Sequence, residues 1–350
     1  MRRFAATTVR RRGRGECACE RDARTAQDYG ARQDYGAPVD RRARERGARA
    51  FEVEVERGRD EGDMIVVTDA SEMRRWSRAR RAEGKRVAFV PTMGALHEGH
   101  LSLVDAARVR GDAVVMSIYV NETQFAPGED FDQYPRTAED VRMAEARGVD
   151  CVYQPKRMYA GAQDGEDPHE TFVEVTELSK GLCSGTRPHF FRGVATVVTK
   201  LFNVVEPDVA VFGKKDYQQW RVIQRMVRDL NFDIDIVGGE IVREADGLAM
   251  SSRNLLLEPQ KRREAIVINR TLREAKALAE RETTTGEDLE KMVSEGIANG
   301  GGVVDYVRVM EPVSLKPHSG PVTSSCVIAI AAKFGTVRLL DNVEIDIERD

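Results

Sequence analysis

The stretch that decides the fold is residues 86–121, RVAFVPTMGALHEGHLSLVDAARVRGDAVVMSIYVN. RVAFVP and DAVVMSIYVN, at its two ends, are short apolar runs of the kind that form buried parallel strands. Between them Leu101 and Val104 lie on one helical stripe, and Gly111 ends the helix. Strand, turn, helix and strand in this order predict a βαβ unit.

The alternation continues on both sides of this unit. It predicts the strands 64–69, 149–153, 208–213 and 233–237, and the helices 70–83, 137–147, 193–206 and 216–230. Asp69, with Glu72 three residues on, marks a helix start. The predicted fold class is α/β, with a doubly wound parallel sheet over residues 64–241.

The pattern changes after about residue 242. Two helices are predicted at 258–281 and 286–298, followed by the three strands 303–310, 325–334 and 336–343. Gly335 between the last two strands suggests a hairpin. Residues 242–350 are therefore predicted to form a smaller α+β domain folded over the first.

Composition excludes several classes of protein. The 350 residues suit two domains, and no apolar stretch approaches the length of a membrane span. The net charge of −4 argues against a general nucleic-acid binder. The five cysteines are scattered, which makes a disulfide framework unexpected and favours a reducing compartment.

The first 63 residues differ from the rest. They contain 16 Arg and 13 acidic residues but no Leu, Ile or Trp, so they are expected to be a disordered extension. The opening MRRFAATTVRRR is weakly similar to an organelle transit peptide. Such peptides are poor in acidic residues and rich in Ser, whereas residues 1–63 contain 13 acidic residues and no Ser. A tail, or a gene model extended upstream of Met64, is preferred, and the expected location is the cytoplasm.

The strongest chemical signal is PTMGALHEGH at residues 91–100, between a strand and a helix N-terminus. Open α/β sheets bind ligands at such junctions, and helix N-terminal amides favour phosphate. Gly94 and Gly99 let backbone approach a ligand, while His97 and His100 can stabilise charge on a triphosphate. Half of a metal site and an ordinary turn are the alternatives.

Two further blocks suggest phosphate contacts. FGKKDYQQ at residues 212–219 carries Lys214 and Lys215 at a strand end, with Asp216 either capping the next helix or touching a ligand. DGLAMSSRN at residues 246–254 is similar to a mobile phosphate-gripping loop. A solvated face and an ordinary loop are the plainer interpretations.

Two blocks suggest a second substrate. In YVNETQF, at residues 119–125, Asn121 and Gln124 can hydrogen-bond a carboxylate or hydroxyl group. SGTRPHFFRGV, at residues 184–194, adds further candidates, which are Arg187, His189 and Arg192. The remaining histidines, His169 and His318, are expected on the surface.

These blocks, in this order, resemble the pantothenate synthetase (pantoate–β-alanine ligase) family. The resemblance extends from Met64 to about Asp350 and includes PTMGALHEGH, YPRT, RGVATVVTKLFN, PDVAVFGKKDYQQ and READGLAMSSRN. The forms KKDYQQW and KGLCSGTRPHFFRGV are closer to plant-type members. The resemblance implies a Rossmann-like HxGH nucleotidyltransferase domain with a C-terminal lid, and a homodimer. Net charge and hydropathy predict that the protein binds no nucleic acid or membrane.

The resemblance implies a reaction in two steps. The carboxylate of pantoate attacks the α-phosphorus of Mg-ATP, which gives pantoyl adenylate and pyrophosphate. The amine of β-alanine then attacks the acyl carbon and releases AMP, which completes the last step of pantothenate synthesis. The implied cofactor is Mg²⁺, with ATP as co-substrate.

The resemblance also assigns site residues. It implies catalytic roles for His100, His97, Lys215, Ser251 and Arg253. The residues implied to bind ATP are Met93, Gly94, Ala95, Leu96, His97, Glu98, Gly99, His100, Gly213, Lys214, Lys215, Asp216, Val242, Met250, Ser251, Ser252 and Arg253. It places Gln124 and Gln219 on pantoate, with Gln124 also on β-alanine, and Asp140 on the metal.

Two positions depart from the family pattern. Glu122 stands where the family has Pro, which would loosen the turn and bring a carboxylate near an anionic substrate. Phe190 stands at a common His position. Two other functions compete: another HxGH nucleotidyltransferase, which the two Gln and GKKDYQQ argue against, and a catalytically dead binding protein, which only Glu122 supports.

Overall fold

The computed structural model describes residues 64–125, 131, 134–159, 167–185, 187, 189–281, 283–318 and 320–347. The predictions for residues 1–63, including disorder and import, lie outside the described residues. No helix in the described ranges is long and apolar enough to cross a membrane. The cysteines in these ranges, Cys151, Cys183 and Cys326, are buried.

Six parallel strands form the main sheet of the described chain, in the order β1-β4-β3-β2-β5-β6. The strands are β1 (Ile65–Val67), β2 (Val87–Thr92), β3 (Ala113–Ile118), β4 (Cys151–Tyr153), β5 (Val209–Gly213) and β6 (Asp235–Gly239). The central strands are buried apolar runs, as expected for a parallel sheet covered by helices. The predicted α/β fold class is confirmed.

Helices accompany the strands of this sheet. They are α1 (Ala70–Ala82), α2 (Glu98–Arg108), α3 (Glu139–Ala146), α4 (Phe190–Val205) and α5 (Tyr217–Asp229). Asp69 caps α1 as predicted, since its carboxylate accepts from the amides of Ser71 and Glu72. The helix predicted from Leu101 begins earlier, at Glu98, because His97 serves as its N-cap.

The C-terminal part has its own layers. The helices α6 (Pro259–Glu264), α7 (Val267–Arg281) and α8 (Gly286–Asn299) precede an antiparallel sheet of β7 (Val303–Met310), β8 (Cys326–Phe334) and β9 (Val337–Ile345). The single helix predicted over 258–281 is two helices, with a turn at residues 265–266. The hairpin prediction is confirmed, since Phe334 pairs with Val337 across a turn in which Gly335 has a φ of 62°.

The small sheet contributes to two cores. Residues such as Ile328 and Ile330 pack with Leu272 of α7 and Leu289 of α8. Val327 and Ala329 instead join the core of the parallel sheet. An apolar core therefore crosses the predicted domain boundary at residues 241/242. The division into two domains there stays a prediction.

Candidate active site

The site follows from the strand order. β2 lies between β3 and β5, so the strand order reverses next to it. Such a reversal opens a crevice at the carboxyl ends of the strands. A cavity of about 750 Å³ opens there, and residues of the C-terminal part supply its opposite wall.

The loop after β2 carries the two histidines. His97 is the N-cap of α2, and its Nδ1 accepts from the amide of Gly99 at 3.1 Å. That nitrogen is therefore unprotonated in the neutral ring, and Nε2 carries the proton and acts as a donor. A Cβ on Gly99 would lie 2.8 Å from the His97 ring, so this position requires glycine. The centroids of the His97 and His100 rings are 4.1 Å apart.

Burial keeps both imidazoles neutral. Burial, followed by the nearby His97 ring and the Lys215 ammonium, lowers the pKa of His100 to about 3. Burial and Lys215 also lower the pKa of His97, against smaller opposing effects from Glu244 and Asp216. The Nδ1 atom of His100 has no hydrogen-bond partner among the described residues. The two rings can therefore donate to a polyanion without carrying charge themselves.

The two neighbouring lysines have different surroundings. Lys215 lines the cavity. Lys214 forms ion pairs of 2.7 Å with both Glu240 and Glu344, which join the parallel sheet to β9. Asp216 lines the cavity too, and its side chain makes no capping bond to α5 although the residue stands at the N-cap.

The loop of residues 242–254 forms part of the C-terminal wall. The amide of Met250 donates to the carbonyl of Val242 at 2.9 Å, which closes a short hairpin. Arg243 holds the hairpin by a bidentate pair with Asp341, at 2.7 and 3.0 Å. The loop then enters the short 3₁₀ helix Ser252–Leu256.

A polar pocket belongs to the same cavity. Gln124 is buried, and its Oε1 accepts from Asn121 Nδ2 at 2.8 Å, which leaves its own amide N–H groups to donate. Gln219 lines the cavity as well. The guanidinium of Arg187 lies 4.5 Å from the centre of the Phe190 ring, and both residues line the wall. Phe190 therefore packs against a cation where the family pattern has a His.

Glu122 is not among the described residues that line this cavity. Its carboxylate accepts from the Tyr119 hydroxyl at 2.9 Å, and the residue is exposed outside the described cavity wall. The short 3₁₀ helix Glu122–Gln124 forms without the proline. The expected repulsion of an anionic substrate by Glu122 stays a prediction.

Asp140 does not fit the role of a metal ligand. It is only 2% exposed, and it accepts from the amides of Ala95 and Leu96 at 3.0 and 2.8 Å. It lies outside the described cavity wall. No group of three or more His, Cys, Asp or Glu side chains in the described ranges could hold a metal ion.

The structure brings most of the predicted site residues to one cavity. Those that line it are Met93, His97, Gly99, His100, Gln124, Gly213, Lys215, Asp216, Gln219, Val242, Met250, Ser251, Ser252 and Arg253. Those that lie elsewhere among the described residues are Gly94, Ala95, Leu96, Glu98, Asp140 and Lys214. The roles of all these residues stay predictions.

The weaker sequence candidates divide in the same way. Arg187 lines the cavity. Arg192 lies over the ring of Phe172, outside the described wall, and His169 contacts the same ring by its edge. His189 is exposed immediately before α4.

Sequence reasoning missed the contribution of the antiparallel sheet. Four of its polar side chains line the cavity, which are Tyr306, Arg338, Asp341 and Asn342. Arg338 is held by an ion pair of 2.7 Å with Asp305, and Asn342 donates to the carbonyls of Lys214 and Lys215. The sequence signal that could have revealed this contribution is the pair Asp341 and Asn342, which lies between apolar residues of β9.

Fold and site together define a class. A doubly wound sheet, a ligand crevice beside its central strand and an HxGH motif at a helix N-terminus are the features of an α/β nucleotidyltransferase. Residues 65–344 match the family model described as pantoate–β-alanine ligase. The chain belongs to this family, which is a family of ligases, and the resemblance seen in the sequence is confirmed.

Similar proteins extend over most of the chain. It is 52% identical to a pantoate–β-alanine ligase of Oryza sativa subsp. japonica, over 80% of this chain and 96% of the relative. The crystal structure of pantothenate synthetase from Thermus thermophilus has a TM-score of 0.72 and 38% identity, over 80% of this chain and 99% of the other. A crystal structure of a Francisella tularensis pantoate–β-alanine ligase, complexed with β,γ ATP and β-alanine, has a TM-score of 0.65 and 28% identity. The match covers 80% of this chain and 97% of the other.

Proposed function

We propose that the protein joins (R)-pantoate to β-alanine at the expense of ATP, and so forms pantothenate, AMP and pyrophosphate through pantoyl adenylate. The observation that carries the proposal is the neutral pair of His97 and His100, beside Lys215 at a helix N-terminus, in a cavity that also holds Gln124. The family of the chain, and the ligand set of the Francisella tularensis relative, support the same substrates.

The nucleotide occupies the part of the cavity between the two walls. The triphosphate lies against the N-terminus of α2, where the helix dipole and the His97 Nε2–H favour negative charge. Lys215 approaches it from the end of β5, and Ser251, Ser252 and Arg253 approach from the C-terminal wall. Met93 and Val242 supply apolar contacts near the adenosine.

The first step is an attack of one pantoate carboxylate oxygen on the α-phosphorus. An O–P bond forms, the bond from the α-phosphorus to the bridging oxygen breaks, and pyrophosphate leaves with the electron pair. Gln124 and Gln219 hold pantoate for this attack through their amide groups. Negative charge grows on the phosphorus oxygens and the leaving group, where His100, His97 and Lys215 stabilise it.

The second step takes place on the acyl adenylate. The amine of β-alanine attacks the acyl carbon, a C–N bond forms, the C–O bond to AMP breaks, and the amine proton passes to solvent. No covalent enzyme intermediate is required. Catalysis rests on positioning and on charge stabilisation.

Three finer features complete the proposed function. Mg²⁺ accompanies ATP as its counter-ion, and Asp140, whose two oxygens accept backbone N–H groups, does not fit as its ligand. The protein is a homodimer in the cytoplasm, by analogy with the family.

The test is substrate-dependent release of pyrophosphate from Mg-ATP by the full chain. We expect pantoate to start the release and β-alanine to allow continued turnover. Pantoyl lactone, which has the same carbon skeleton without a free carboxylate, is the matched control and should be inactive. Release that is equal with pantoate and with the lactone would reject the proposed function.

A further inference from the structure

The loop that delivers the two histidines has an unusual backbone. Gly94 and Ala95 follow one another with positive φ angles, 87° and 52°. The second of these is unfavourable for a residue with a Cβ, so surrounding contacts must hold it. The amide of Gly94 is satisfied by Thr92 Oγ1 at 3.2 Å, within the loop.

The next two amides are held by one carboxylate from a distant helix. Asp140, in the first turn of α3, accepts from Ala95 N through Oδ2 and from Leu96 N through Oδ1. A Cβ on Gly94 would lie 2.9 Å from Oδ2, so glycine makes room for this carboxylate. Carboxylate bonds to backbone amides are among the stronger hydrogen bonds in proteins.

The two amides held by Asp140 lie next to the active-site histidines in the sequence. Leu96 is followed by His97, the N-cap of α2, and His100 lies in the first turn of that helix. The position of both rings therefore depends on where the loop places the helix N-terminus. We infer that Asp140 is a positioning residue, which fixes the loop of residues 94–97 and hence both imidazoles, and that it is not a magnesium ligand.

The surroundings of Asp140 support this role over metal binding. Each carboxylate oxygen already accepts a backbone N–H, and the side chain is buried behind the loop, outside the described wall of the cavity. The neighbouring Glu139 is exposed and pairs with Arg142 on the surface of α3. Two adjacent acids of one helix thus provide a test residue and a matched control.

The first experiment measures ATP affinity of the full chain by calorimetry, once with Mg²⁺ and once with EDTA. Because it uses ATP, this experiment rests on the proposed function. We expect Asp140→Asn to weaken binding roughly tenfold in both conditions, since the amide cannot accept from both N–H groups. Glu139→Gln should bind like the wild type. A loss confined to Mg²⁺, or no loss in either condition, would overturn the inference.

The second experiment does not depend on ATP. The imidazole resonances of the five histidines are compared between wild type and Asp140→Asn by nitrogen-15 NMR. We expect shifts for His97 and His100, while His169 and His318 stay in place. Unchanged His97 and His100 resonances would contradict the positioning role.

A second variant covers the case in which Asp140→Asn does not fold. Gly94→Ala places a Cβ 2.9 Å from the same carboxylate and strains a backbone φ of 87°, so it should weaken ATP binding equally with Mg²⁺ and with EDTA. Wild-type affinity in a folded Gly94→Ala protein would overturn the inference. If the wild type itself does not bind ATP, the proposed function fails, and the NMR comparison still decides the role of Asp140.

Discussion

The two walls of the cavity are built in different ways. The sheet-side wall, residues 91–100 and 213–219, consists of loops that leave neighbouring parallel strands and enter helices. The C-terminal wall, residues 242–254 and 336–342, is held by side chains that are far apart in sequence, such as Arg243 and Asp341, 98 residues apart. Apart from the bonds of Asp140 to the loop of residues 94–97, the first wall consists of contiguous motifs, whereas the second depends on contacts between residues far apart in the chain.

This difference separates two kinds of substitution. Changes to side chains of the sheet-side wall that face the phosphates should act on the chemical step. Changes that break the long-range ion pairs of the C-terminal wall should act first on stability and on nucleotide affinity. Substitutions at three places test this separation, beginning with the largest effect, and a fourth tests the polar pocket around Gln124.

The largest effect is expected from His100→Ala. Loss of a preorganised group that stabilises developing charge lowers kcat by about 10²–10³. We expect such a fall in pyrophosphate release, with the melting temperature nearly unchanged. His318→Ala, outside the described cavity wall, is the control and should keep wild-type activity. A His100→Ala enzyme with nearly wild-type turnover would refute the assignment.

The two adjacent lysines provide the second test. Lys215→Met should lower kcat/KM for ATP by about 10², because a cation facing the phosphates is lost. Lys214→Met should lower stability by roughly 1 kcal/mol and change kcat/KM by less than about threefold, because its partly exposed ion pairs hold β9. Steady-state kinetics and thermal unfolding measure both. The reverse ranking of the two variants would show that the lysines are assigned the wrong way round.

The third test breaks the C-terminal wall. Arg243→Met leaves the Asp341 carboxylate, whose side chain is 1% exposed, without its bidentate partner. The expected cost is about 3 kcal/mol in the free energy of unfolding, with a higher KM for ATP. Arg270→Met, which removes a weak exposed pair with Glu274, should cost less than about 0.5 kcal/mol.

A double variant sharpens this third test. Adding Asp341→Asn to Arg243→Met removes the buried uncompensated charge and should recover part of the lost stability. Urea unfolding of the single and double variants measures the coupling. Strict additivity of the two substitutions would contradict the role given to this pair.

The smallest effect is expected at Glu122. The Glu122 carboxylate is hydrogen-bonded to the Tyr119 hydroxyl, and Glu122 itself is not among the described residues that line the cavity. Glu122→Gln should therefore change KM for pantoate by less than about twofold. Gln124→Leu, two residues away, should raise it roughly tenfold, since a buried hydrogen bond to the substrate is lost. A large decrease of KM for pantoate in Glu122→Gln would show that Glu122 repels the substrate, as the sequence suggested.

The sequence predicted the sheet-side wall well because its signals are local. The apolar runs around PTMGALHEGH placed β2, α2 and β3, and the motif itself placed His97 and His100 at the helix start. The early start of α2 was missed, because His is an uncommon N-cap and its bond to the Gly99 amide is invisible in the sequence.

The remaining features depend on tertiary contacts. Nothing in GKKD tells which lysine faces the cavity, since the Glu344 partner of Lys214 lies 130 residues on. Asp140 offered a carboxylate near the site, but only the structure shows that the amides of Ala95 and Leu96 occupy it. The side chains of β9 reach the cavity because this strand packs beside the turn that follows β5.

The most direct test of the central claim, that the two walls enclose a pantoyl adenylate, follows an oxygen atom. Pantoate labelled with oxygen-18 in its carboxylate is incubated with the full chain, Mg-ATP and β-alanine, and AMP is analysed by mass spectrometry. Attack on the α-phosphorus predicts one oxygen-18 atom in AMP and none in pyrophosphate. Unlabelled AMP, formed together with pantothenate, would contradict the account.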